Sequence, residues 1–170
     1  MTIKEKREKF IQSWGTLGSN WGINRTMAQI HALLLISDKP LSAQQIIKEL
    51  KISVGNANMN IRALIDWGLV HKESIPGERK DFFIAEKDMW EVVKKIIIQR
   101  KKKELAPILK MLAEIEISEV DVKNADKETE EFVKIVKELE LYSNKVDNTL
   151  DTLINADSNW FVGTFMRMIR

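Results

Sequence analysis

The chain has 170 residues, 31% of them charged and 44% hydrophobic, with 7 glycines, 3 prolines and no cysteine. That composition suits a folded protein with a real core, carries too little Gly and Pro for a many-turned β-sandwich, and without thiols excludes a disulfide framework, a thiolate zinc site and a cysteine nucleophile. The net charge of +2 hides an asymmetry: residues 1–104 hold 19 Lys and Arg against 12 Asp and Glu, whereas residues 105–170 hold 8 against 13, as expected if one half meets a polyanion and the other does not.

The first segment, about Lys4 to Gly18, places Phe10, Ile11, Trp14 and Leu17 at helical spacing. Its start is charged but no apolar run follows, so no secretory signal is expected; no stretch of about 18 apolar residues exists either, so no membrane span is expected. Gly15, Gly18 and Gly22 read as a helix end and a loop. A strongly apolar helix over about 25–37 follows, with Met27, Ile30, Leu33, Leu34 and Leu35 as the buried centre of the first half. Asp38-Lys39-Pro40 stops it.

Ser42 and Gln45 spell a capping box, with Leu41 and Ile46 as its hydrophobic staple, so a short helix is predicted over 43–50. Ser53 is a second N-cap two residues beyond Lys51. The helix it starts, 54–67, is predicted to bury Val54, Ala57, Ile61, Leu64 and Ile65 and to end at Gly68. Two short helices joined this tightly after an apolar third are a helix-turn-helix. A hairpin comes next, Leu69–Ile75 and Asp81–Ala85 about the turn Pro76-Gly77, and on a three-helix unit it forms a wing. From Lys87 the pattern is helical. Trp90, Val93 and Ile97 share a face, and Pro107 kinks or restarts the helix. After an acidic loop at 118–127, Phe132, Ile135, Leu139, Tyr142, Val146, Leu150 and Leu153 form a seam suited to packing on another helix. A last amphipathic stretch carries Trp160, Phe161, Phe165, Met168 and Ile169.

The helix after Ser53 carries the chemistry. Gly55, Asn56, Asn58, Met59, Asn60 and Arg62 are predicted on its exposed face, where a helix kept only for packing would show Glu, Lys or Ala. Such a face fits the major groove: asparagine amides pair with adenine, Arg62 reaches phosphate or guanine, Gly55 lets the backbone approach, and Ser53 with the helix N-terminus holds a phosphate. Ser42, capping the preceding helix, joins this DNA-contacting set, as do Arg79 and Lys80 at the wing tip. Arg100 to Lys103 is read as a solvated helix face. Trp14, Trp21, Trp67 and Trp90 are either core packing or a cage for a cationic ligand. No phosphate loop, His–carboxylate metal pair or nucleophile elbow is present, so neither an enzyme, a metal nor a cofactor is expected.

The stretch from Trp14 to about Leu112 resembles winged-helix regulators of the MarR superfamily, and more narrowly their GbsR-like branch. The resemblance rests on Ser53-x-Gly55, Asp66-Trp67-Gly68-Leu69-Val70 and Pro76-Gly77-Glu78-Arg79. It implies a homodimer on a near-palindromic duplex operator, with recognition helices about one duplex turn apart, and by analogy an effector of the quaternary ammonium type; the expected location, cytoplasmic, comes instead from the absence of cysteine, which fits a reducing compartment. The expected architecture is mainly α. Residues 1–22 form a supporting helix and loop, 23–87 a winged helix-turn-helix with a two-stranded wing, and 88–170 a helical dimerisation region. The function expected is a DNA-binding transcriptional repressor; the alternative is a winged-helix interaction scaffold without specific DNA reading.

Overall fold

The computed structural model describes residues 1–20, 22–115, 117 and 126–157. Trp21 and the stretch holding Trp160, Phe161, Phe165, Met168 and Ile169 lie outside the described residues. The chain divides into two compact units, Met1–Lys95 and Ile96–Arg170. The architecture is mainly α-helical, a winged helix-turn-helix with additional N- and C-terminal helices.

In the first unit, α1 (Ile3–Asn20) packs along α2 (Arg25–Leu35). Gly15 and Gly18 do not end α1 as expected; they are buried inside it. A Cβ on Gly18 would stand 2.6 Å from the Ala28 Cβ, and one on Gly15 would stand 2.6 Å from the Gln29 side chain. Close approach of two helices has overridden the poor helix propensity of glycine. Only Gly22, at φ +73°, is a loop glycine of the kind the sequence suggested. Asn24 caps α2, its side chain accepting the Met27 N–H. Ile30, Ala32, Leu33 and Leu34 are almost wholly removed from water, so α2 is the centre of the core.

The capping box forms in full: the Gln45 N–H donates to the Ser42 hydroxyl, and the Ser42 N–H donates to Gln45 Oε1 at 2.8 Å. It starts α3 (Ala43–Leu50). Lys51, at φ +54°, ends α3 in the left-handed region, and α4 (Val54–Asp66) begins after Ser53. The helix-turn-helix therefore turns on a lysine, a conformation disfavoured for residues with a Cβ. Leu41–Ser42 is also a short strand, β1, which the sequence did not show. It pairs antiparallel with β3 (Phe82–Ala85), whose other neighbour is β2 (Val70–Glu73). The sheet order is β1-β3-β2, in register Leu41↔Phe83 and Val70↔Ala85. The expected two-stranded wing thus has a third strand at its base, which removes one bare edge from a ribbon that is marginal alone.

Lys87, just after β3, reaches the end of α2: its Nζ donates to the carbonyls of Leu34, Leu35 and Ser37 at 2.7–2.8 Å. A cation on the last carbonyls of a helix satisfies orphan acceptors and opposes the dipole. Desolvation there lowers the Lys87 pKa.

Helix α5 (Met89–Arg100) continues into one π-helical turn, Lys101–Leu105, and then α6 (Ala106–Glu114). Pro107 is near the start of α6. Its ring and missing N–H disturb an α-helical ladder, and the wider π turn absorbs the disturbance. In the second unit α7 (Lys127–Asn155) is capped by Asp126, whose carboxylate accepts the Thr129 N–H at 2.9 Å and is held below the usual carboxylate range by bonds from Thr129. α7 packs on α6 and the π turn through buried Leu112, Val133 and Val136. Lys101 bridges to Asp147 and Asp151, the latter bond first among the causes that raise its pKa.

Candidate nucleic-acid interface

Helix α4 is held in place by its inner face. Ala57, Ile61 and Leu64 are buried at spacings of four and three. Val54 and Ile65, expected in the core, are instead 62% and 37% exposed. The place next to Ile61 is taken by Asn60, 2% exposed. Its amide donates to the Asn56 carbonyl at 2.8 Å and to Asn56 Oδ1 at 2.7 Å. The Asn56 amide in turn donates to the Thr26 hydroxyl at 3.2 Å. This chain of bonds ties α4 to the first turn of α2, and a buried amide is tolerated because it is satisfied.

The exposed face is therefore narrower than predicted. Asn60 is removed from it, and Asn56 is half-buried and engaged. Ser42 is removed as well, being 2% exposed with its hydroxyl in the capping box. Polar type suggested exposure for all three, but helical position and capping decided. Between Ser53 and Arg62, what remains open to solvent is Ser53, Val54, Gly55, Asn58, Met59 and Arg62. A Cβ on Gly55 would meet nothing within 4 Å. Ser53 accepts the Asn56 N–H at 3.3 Å as N-cap. No acid lies between Ser53 and Ile65.

Beside this helix-turn-helix stands the wing. Its tip turns at Gly77, φ +85°, and residues 76–81 are exposed. Lys72 pairs with Asp81 at 2.8 Å and pins the hairpin above the turn. Lys80 approaches Glu78 at 3.5 Å and lies 5.5 Å over the Phe82 ring. Arg79, by contrast, makes no ion pair among the described residues. At the base, Glu86 accepts from Lys95 at 2.9 Å, and that bond leads the causes that hold its pKa down at about 2.

Of the tryptophans assigned to a ligand cage, the described ones, Trp14, Trp67 and Trp90, lie on different elements of the first unit. Trp14 lies on α1, its ring 5.4 Å from Phe10 and 6.3 Å from the His31 ring. Trp67 caps the C-terminus of α4, and Trp90 is in the first turn of α5; both are half-buried. His31, which the sequence did not single out as a site, is 3% exposed and has no hydrogen-bond partner for Nε2 among the described residues. Burial first, then the Lys87 charge, pushes its pKa down to about 4, so the ring is neutral.

The predicted seam on α7 faces outward. Phe132, Ile135, Leu139, Tyr142 and Val146 are 44–62% exposed, and Leu150 and Leu153 are half-buried. Among the described residues no helix is long and apolar enough to cross a membrane, and no group of His, Asp or Glu is placed to hold a metal ion.

Residues 21–81, the helix-turn-helix and wing up to β3, match the MarR family model. A solved structure described as a transcriptional regulator is 14% identical and superposes with a TM-score of 0.63 over 88% of this chain and 95% of its own. At that identity the likeness speaks for the fold. The transcriptional regulator Tm0710 from Thermotoga maritima (15% identity, 86% and 94% covered) and Lactococcus lactis ZitR (17%, 82% and 96%) reach TM-scores of 0.40 and 0.36 and add nothing to the argument. No curated protein matches the sequence. The family match falls on the segment that builds α4 and the wing, within a winged-helix fold.

Proposed function

We propose that this protein is a sequence-specific duplex-DNA reader that acts as a homodimeric repressor by occupying its operator. One observation carries the reading. From Val54 to Ile65 the free face of α4 carries no charge except Arg62, and it stands next to a wing whose Arg79 makes no ion pair among the described residues, within the segment that matches the family. A helix of this kind enters the major groove with its N-terminal residues on base edges while basic wing residues hold the strand alongside. The branch we favour is the GbsR-like one, on Ser53-x-Gly55 and Pro76-Gly77-Glu78-Arg79.

The dimer part of the proposal is supported by the outward stripe of α7. Five large apolar side chains at three- and four-residue spacing on one helix are costly to leave in water and suit a partner helix. Repression follows from occupancy alone, since a bound dimer blocks access to its site. An effector is the smaller part of the proposal: half-buried Trp14, Trp67 and Trp90 make tryptophan fluorescence its reporter. Titration with choline or glycine betaine is expected to change both fluorescence and operator affinity; an unchanged signal with unchanged affinity removes the effector.

Binding of fragmented host genomic DNA as a function of salt tests the main reading. A reader that neutralises several phosphates selects particular fragments and loses affinity steeply as salt rises. Weak binding that selects nothing would leave the winged helix as a scaffold.

A further inference from the structure

With Asn56 and Asn60 tied inward, the first two turns of α4 offer the groove Val54, Gly55, Asn58 and Met59, with Arg62 a turn further on. Two of these are large apolar side chains left 62% and 60% exposed on a helix whose core face is complete without them. Packing does not account for them, nor does solubility, which would favour Lys or Glu at both places. Gly55 lies between them in sequence and leaves open space where a side chain would stand. The backbone can therefore come close to whatever the helix faces.

The major groove presents amides, carbonyls and ring nitrogens, and one kind of apolar group, the 5-methyl of thymine. On this evidence we propose that Val54 and Met59 read thymine methyl groups, so that methyl contact, with Asn58 as the single free amide, sets much of the operator's sequence. This inference rests on the DNA-reading function proposed above and names the chemistry that this site selects. A protein partner fits the pair poorly, because Asn58 and Arg62 interrupt it and no wider apolar patch continues it on α4.

The test starts from a duplex pool with a randomised core of about two helical turns, selected on the full chain. Each enriched sequence is then remade with deoxyuridine at one thymine at a time, which removes the methyl and keeps every hydrogen-bonding group. At one or more positions in each half-site the wild-type protein is expected to lose about fourfold in affinity, the worth of one buried methyl. Met59→Ala or Val54→Ala, both exposed helix positions that tolerate alanine, is expected to bind the thymine and deoxyuridine forms equally at the affected position. Indifference of the wild-type protein to every methyl, or an equal loss in wild type and both variants, overturns the inference while leaving the DNA-reading function intact. A pool that enriches no sequence overturns that function, and the inference with it.

Discussion

Helices α4 and α7 both leave apolar side chains in water, and they do so in different ways. On α7 five of them, Phe132, Ile135, Leu139, Tyr142 and Val146, follow one another at three and four residues in a single stripe, while its packing on α6 uses the separate residues Val133 and Val136. On α4 there are two at the start, Val54 and Met59, set among a glycine, a free amide and an arginine. A continuous stripe matches another helix, because only a helix repeats with the same period. An interrupted pair beside hydrogen-bonding groups matches a surface that alternates apolar and polar features over a few ångströms, as base edges do. Exposure alone does not distinguish the two; the spacing and the neighbours do.

The largest expected effect breaks the α7 side of this contrast. Leu139→Glu puts a charge into the stripe twice in a symmetric dimer and should cost on the order of 4 kcal/mol of association, seen as a monomer by sedimentation. An unchanged dimer would assign the interface elsewhere.

Within α4 the contrast is between amides. Asn60→Ala leaves Asn56 without its buried donor and should cost about 2 kcal/mol of folding stability, whereas Asn58→Ala should change it by less than about 0.5 kcal/mol, in denaturant melts. Equal costs would contradict the inward and outward assignment.

His31 makes the first unit acid-sensitive. Its folded-state pKa, lowered to about 4, lies below the 6.5 of a free imidazole, so the unfolded chain binds the proton first. The stability held by the neutral ring is present above pH 6.5 and is lost as pH falls toward 4. About 2 kcal/mol should go between pH 7 and pH 5, above the range in which Glu86 titrates, and His31→Leu should remove that slope. Hydrogen exchange of the α2 amides reports it; a slope that survives in the variant would assign it to other groups.

The smallest effect separates grip from reading. Arg62→Ala should weaken all duplexes alike by about 1 kcal/mol and flatten the salt dependence, while Asn58→Ala should relax one base position. Equal behaviour of the two variants would remove Asn58 as a reader.

Much of the frame was legible because its signals are local. The Ser42–Gln45 box, the Ser53 cap and the left-handed Gly68 each act over three or four residues, and each stands where the sequence put it. The misreadings were tertiary. Gly15 and Gly18 read as a helix end because nothing in the local sequence announces that α2 presses against them. Asn60 read as exposed because it is polar; its position beside Ile61 on the core face should have outweighed its type, and its partner Asn56 with Thr26 beyond explains why burial is tolerated. Strand β1 was hidden under a capping signal, and the π turn under a lysine run before Pro107.

The absence of cysteine from the chain makes the central claim directly measurable. Asn58→Cys introduces a single thiol at the middle of the open face of α4, and the rate at which a maleimide labels it can be followed with and without a selected duplex. Strong protection by that duplex is expected and, conversely, loss of duplex binding once the label is attached. Labelling at the same rate in both conditions, with the labelled protein still bound to DNA, would contradict it.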